Sequence, residues 1–100
     1  MKAVVLHRGA RADIRAAIKH YTKESAQLGI DFSHEVERAV AWAAENPLAG
    51  SPLKRGARRV LLRRFPYHVI YRESPDHIVI LAIGHHRRHP DFWLTRRFGG

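Results

Sequence analysis

The chain has 100 residues, of which 45% are hydrophobic and 27% charged, with no cysteine and a formal net charge of +9. This length suits one domain, residues 1–100, with a modest core, and the composition is that of a globular chain, not a disordered one. A disulfide framework, a thiolate metal site and a thiol nucleophile are excluded; no apolar run reaches the length of a membrane span; and Ala3 to Leu6 is too short for a signal-peptide core, so a cytoplasmic protein is expected.

Lys2 to His7 reads as a short strand that Gly9 breaks. From Ala10 the spacing turns helical: Ala10, Ile14, Ala17, Ile18 and Tyr21 share a stripe, and Arg11, Arg15, Lys19 and Lys23 lie outside it. Asp13 near the start and the lysines near the end suit the helix dipole. Lys23 to Gly29 reads as a helix–helix connection, with Ser25 or Asp31 as N-cap of the next helix. That helix points Phe32, Val36, Ala39, Val40 and Ala43 inward and Glu35, Glu37 and Arg38 outward. Trp42 is placed at the core edge, and Asn46-Pro47 stops the helix. Residues 46–56, NPLAGSPLKRG, form the crossover to a sheet.

Three strands follow: Val60 to Phe65, Tyr67 to Arg72 and Ile78 to Ile83. Phe65-Pro66 and Glu73-Ser74-Pro75-Asp76 serve as the breaks between them. The third is apolar at every position, as in a strand covered on both faces or placed centrally. The tail from Asp91 suits one helical turn, with Phe98, Gly99 and Gly100 fraying. The expected architecture is α+β, in the order β-α-α-β-β-β, with a small antiparallel sheet packed on a helical hairpin. Strict alternation puts Val60, Leu62, Val69, Tyr71, Val79, Leu81 and Ile83 under the helices. The opposite face then carries Arg59, Leu61, Arg63, His68, Ile70, Arg72, Ile80, Ala82 and Gly84, with His86 just beyond. That face is expected to be shallow and basic, with apolar spots such as Leu61 and Ile70.

The charge is concentrated in the second half. Residues 1–53 hold seven Lys/Arg against six Asp/Glu, and residues 54–100 hold eleven against three. Almost all of the eleven are arginine, which favours forked contacts to phosphate and carboxylate over simple solubility. A solvated surface is the plain reading; a polyanionic partner, nucleic acid or an acidic protein segment, is the sharper one. No Gly-rich phosphate loop or nucleophile-like serine setting is present. The stretch His85-His86-Arg87-Arg88-His89-Pro90-Asp91 is not expected to hold a metal, since adjacent strand residues point to opposite faces and cations crowd it. His, Arg and an aromatic together suit metal-free RNA cleavage, in which histidine moves protons and arginine neutralises the developing charge; solvent-exposed hydrogen bonding is the equally open reading of these histidines.

The segments Ala12-Asp13-Ile14, FSHEVERAV (32–40), Asn46-Pro47 with Gly50, Arg59 with Leu62 through FPYHVIYR, and AIGHHRRHPDFW resemble, in order and spacing, the ParE/RelE superfamily of type II toxin–antitoxin (plasmid stabilization) toxins. The resemblance covers nearly the whole chain. It implies a small sheet on a helical hairpin, no cofactor, and neutralisation by a co-expressed acidic antitoxin. ParE-like members poison DNA gyrase; RelE-like members cleave messenger RNA on the ribosome without metal. In the second case the matching positions are Arg59, Arg63, His68 and His86. Leu61 replaces a lysine there, and Phe92 or Trp93 replaces a tyrosine. The long hairpin and the FPY-x-(Val/Ile)-x-Tyr segment look more like the ParE-type chains. The residues expected to meet the target or the antitoxin are Arg58, Arg59, Leu61, Arg63, Arg64, His68, Ile70, Arg87, Arg88, Phe92 and Trp93.

Overall fold

The computed structural model describes residues 1–97. Strand β1 (Ala3–Leu6) runs into helix α1 (Arg8–Glu24) through His7 alone. His7 is the N-cap. Its Nδ1 accepts the Gly9 N–H at 2.9 Å, so Nε2 carries the proton and donates to the Arg97 carbonyl at 2.9 Å. Histidine is not a favoured N-cap, which is why the periodicity alone starts the helix later, at Ala10.

Ser25 alone joins α1 to α2 (Ala26–Glu45), its hydroxyl accepting the Leu28 N–H at 3.2 Å. Of the two possible caps, Ser25 and Asp31, the chain uses Ser25, and Gly29 lies inside the helix. Glycine there costs about 1 kcal/mol relative to alanine. The hairpin crossing explains it, because a Cβ at position 29 would run into the Thr22 hydroxyl. Both inward stripes pack on the sheet as their spacing predicts. Trp42 is 40% exposed and does not cap the core.

The second half forms β2 (Ser51–Pro52), β3 (Ala57–Leu61), β4 (Tyr67–Glu73) and β5 (His77–His85). The sheet order is β1-β5-β4-β3-β2. The sheet is mixed, not purely antiparallel, because β1 lies parallel to β5 while the other neighbours are antiparallel. The first of the late strands also ends early, at Leu61. Leu62 to Pro66 form the turn, where Leu62 N–H donates to the Tyr67 carbonyl at 2.9 Å. Phe65 and Tyr67 therefore both reach the helix side. There they join Tyr21 and Phe32 in an aromatic cluster with ring centroids 4.9 to 6.0 Å apart.

Strict alternation fails in β5. Ile70 pairs with Ala82, but the next residue, Tyr71, pairs with Ile80, and Leu81 is left over. This bulge reverses the facing of everything before it. Ile78, Ile80 and Ile83 lie under the helices, whereas Val79, Leu81 and Ala82 face the other way. Ile80 was expected on the far face and Val79 and Leu81 under the helices; all three are exchanged. The far face is also not an open surface. Residues 87–97 fold back across it, bringing Trp93, which is 2% exposed, onto Ala57, Ile70, Val79, Leu81 and Ala82. Successive turns join Phe92 to His89, Leu94 to Asp91 and Arg96 to Trp93. The fraying expected of Phe98 to Gly100 falls outside the described residues.

Candidate functional site on the basic sheet face

Beyond Leu6, which pairs with Ile80, β1 no longer covers the edge of β5. Side chains replace the missing strand. Asp13 accepts the Ile83 N–H at 3.0 Å, and Arg96 donates to the Leu81 carbonyl at 3.0 Å. Arg96 also forks onto Asp13 at 2.6 and 3.1 Å, and Arg88 approaches the same carboxylate at 3.4 Å. Both arginines lie against the Phe92 ring, with the Arg88 guanidinium 3.9 Å and that of Arg96 5.2 Å from its centre. Phe92 sits against Gly84, where a Cβ would come within 2.6 Å of the ring. Lys54 and Asp91, 2.8 Å apart, tie down the other side of the strap.

Next to the strap, His68 lies opposite Leu61 on β3 and Gly84 on β5. His86 stacks on it, with ring centroids 5.4 Å apart and planes 13° from parallel. His68 is 8% exposed, and its Nδ1 has no hydrogen-bond partner among the described residues. Burial lowers its pKa from 6.5 to about 4, helped by electrostatic repulsion from His86, Arg59 and His85. The ring is neutral at physiological pH. The stability gained by keeping it neutral is complete above about pH 6.5 and is lost as the pH falls toward 4. An NMR titration should find His68 protonating near pH 4, and His68→Phe, which keeps a flat ring, should flatten the acid limb of the stability profile. A midpoint near 6.5 would contradict this reading.

The residues expected to form one surface divide by environment. Arg59, Arg63 and Arg87 are exposed, and their guanidinium groups have no hydrogen bond or ion pair among the described residues. Leu61 is 54% exposed. Arg58 instead points to the α2–β2 loop, donating to the Gly50 carbonyl at 2.9 Å. Arg64 pairs with Asp31 at 3.5 Å, and Arg88 belongs to the Asp13 clamp. Ile70, expected as an exposed apolar spot, is 1% exposed beneath the strap, as the bulge and Trp93 require. His68, expected outside the core, is buried as well. His85 packs edge-on against Tyr67 while His86 packs on His68, so the two neighbours face opposite sides of the sheet.

Sequence reasoning missed two carboxylates that set this geometry. Asp13 looks like a dipole-compensating residue but is the hub of the strap. Glu35, placed outside its helix stripe, reaches the β3–β4 turn, where one oxygen accepts the N–H groups of Arg63 and Arg64 at 2.9 and 3.2 Å. Burial raises the Glu35 pKa, but those two N–H bonds and the Arg38 side chain outweigh it, and the net shift is downward. Glu35 thus holds the turn that presents Arg63. On the other side of the molecule, Val4 and Leu6 of the edge strand β1 line an apolar groove of about 310 Å³ with Ile14, Ile18, Val36 and Val40. No helix among the described residues is long and apolar enough to cross a membrane.

Comparison with known proteins places this arrangement in context. Residues 4–90 match the family described as ParE toxin of type II toxin-antitoxin system, parDE. Toxin ParE2 of Mycobacterium tuberculosis, from strain CDC 1551 / Oshkosh and equally from strain ATCC 25618 / H37Rv, is 31% identical over 88 residues, covering 86% of this chain and 83% of the relative. Among solved structures, a chain of the chromosomal ParDE TA system from P. aeruginosa superposes with a TM-score of 0.74 at 26% identity, covering 85% of this chain and 96% of that one.

Proposed function

We propose that this chain, which belongs to the ParE toxin family of type II toxin–antitoxin systems, acts in the cytoplasm by binding DNA gyrase through its basic sheet face and holding the enzyme on cleaved DNA. The observation that supports this reading is the contrast within that face. Arg59, Arg63 and Arg87 are exposed and free to meet a partner, while the neighbouring groups suit binding better than acid–base chemistry. Leu61 and Phe92 offer neither amine nor hydroxyl. His68, with a pKa of about 4 and little exposure, is a weak and inaccessible base. Ribosome-dependent RNA cleavage through Arg59, Arg63, His68 and His86, the other activity that the resemblance implies, has less to work with.

A cognate antitoxin would complement the rest of the surface. The net charge of +9 favours an acidic segment. The apolar groove beside β1 would take the hydrophobic anchors that the covered Ile70 cannot. Association should therefore slow as salt rises.

The proposal is tested in cells. Induction should arrest growth and produce DNA breaks that depend on gyrase. Arg59→Glu with Arg87→Glu should abolish the arrest while changing folding stability by no more than about 0.5 kcal/mol each, since both side chains are exposed and unpaired. His86→Ala should remain toxic. Codon-specific cuts in ribosome-bound messenger RNA, lost in His86→Ala, would overturn the proposal.

A further inference from the structure

Helix α1 carries Arg8, Arg11, Arg15, Lys19 and Lys23 on its outer side, the last four at every fourth residue. All five are exposed, and none of their side chains makes a hydrogen bond or ion pair among the described residues. Like charges at i and i+4 destabilise a helix, yet no carboxylate among the described residues relieves them. Asp13 is committed to Arg96 and Arg88, Glu35 and Asp31 serve the β3–β4 turn, and Glu24 stands unpaired at the last residue of α1. The stripe Ala10, Ile14, Ala17, Ile18 and Tyr21 packs inward against the sheet, so the ridge lies on the side of the molecule opposite Arg59 and His86.

We infer that this ridge binds duplex DNA through its phosphate backbone, independently of base sequence. At 1.5 Å per residue the cations span about 22 Å. A duplex presents one negative charge per about 1.7 Å of axis, so a ridge of that length meets phosphates in any register. The apolar groove that Ile14 and Ile18 help to line opens on the β1 and α2 side of the helix, and the ridge itself offers a protein partner no comparable seat. Protein interfaces centre on buried aromatic or aliphatic anchors, and here the residues between the cations include only Ala12 and Ala16 as exposed apolar side chains. Those methyl groups permit close approach but offer no anchor. Nor does α1 hold any Asn or Gln to read adenine edges. The ridge would keep the protein near DNA while the opposite face engages its target, and bare DNA tests it without reference to gyrase.

The test uses the full chain and a labelled random duplex of about 20 base pairs, followed by fluorescence anisotropy. Four or five phosphate contacts give a slope of log K against log salt of about −3.6 to −4.5, a loss of roughly 10²- to 10³-fold between 50 and 200 mM. The variant R11Q/R15Q/K19Q/K23Q should lose about 3.6 of that slope and bind at least 10²-fold more weakly at 50 mM. Glutamine has nearly the same helix propensity as the residues replaced. Helical circular dichroism should therefore be retained and the melting temperature equal or higher, which separates lost contacts from lost fold. R59Q/R63Q/R87Q should keep most of the slope. The inference is overturned if the wild-type protein does not bind at 50 mM, or if the far-face variant and not the ridge variant loses the slope. It is also overturned if polyglutamate displaces the duplex at equal charge concentration, which would assign the ridge to an acidic protein.

Discussion

Asp13→Ala is expected to cost about 3–5 kcal/mol, because it strands a charge in a partly buried site. The carboxylate side chain is only 8% exposed and the Arg96 side chain that forks onto it 16%. Removing Asp13 leaves that guanidinium without a counter-ion and the Ile83 N–H at the bare edge of β5 without an acceptor. Asp13→Asn keeps an acceptor for the N–H and loses only the charge, so it should be milder than Asp13→Ala. The double variant Asp13→Ala/Arg96→Ala should be clearly less destabilised than the sum of the single changes, because the second substitution removes the orphaned charge. For a domain whose whole stability is about 5–15 kcal/mol, the single alanine variant should be partly unfolded at growth temperature. Urea unfolding of the wild type, the three single variants and the double variant measures this; additivity of the Asp13→Ala and Arg96→Ala effects would show that the clamp does not act as one unit.

Trp93→Ala should cost about 3–5 kcal/mol by a different route, the loss of packing. The indole is 2% exposed and forms the outer layer of the second core, with its Nε1–H donating to the Pro90 carbonyl at 2.9 Å. Its removal leaves a cavity over Ile70, Val79, Leu81 and Ala82 and loosens residues 87–97. The melting temperature should fall by roughly 15–30 °C for a domain of this size. Hydrogen exchange should locate the opening, with the amides of the strap losing protection and those of the helical hairpin less affected. Equal loss of protection throughout would mean that the strap is not a separate layer. Trp93 was expected to meet a partner directly. Its burial gives it another part, which is to hold Phe92 over Gly84 and to fix the segment that carries Arg87.

What the sequence made legible was whatever repeats. The apolar stripes at helical spacing gave both helices, and the FPY and SPD breaks separated the late strands. The Leu81 bulge could not be read, because β5 is apolar from Ile78 to Ile83 and a run without polar residues has no alternation to interrupt. Without that bulge, Val79 and Leu81 were assigned to the wrong face and the second core was invisible. The only sign of it was the aromatic pair Phe92-Trp93 after a strand already complete. Asp13 and Glu35 are ordinary helix carboxylates in one dimension; their partners lie 70 and 28 residues away. Arg88 looked the same as Arg87 for that reason. One closes an ion pair with the first helix, and the other is free.

These distinctions determine which substitutions bear on function. Charge reversal at Arg88 would disturb the Asp13 clamp and confuse a folding defect with a lost contact, whereas the side chains of Arg59, Arg63 and Arg87 can be changed without breaking any pairing among the described residues. The central claim is that the free arginines of the far face engage gyrase. Its most direct test is to incubate purified protein with DNA gyrase and supercoiled plasmid, then to denature and digest the enzyme. Wild-type protein should convert plasmid to the linear form, and Arg59→Glu/Arg87→Glu, folded to the same stability, should not. Plasmid left uncut by the wild-type protein, alongside cleavage of messenger RNA on purified ribosomes, would contradict the claim.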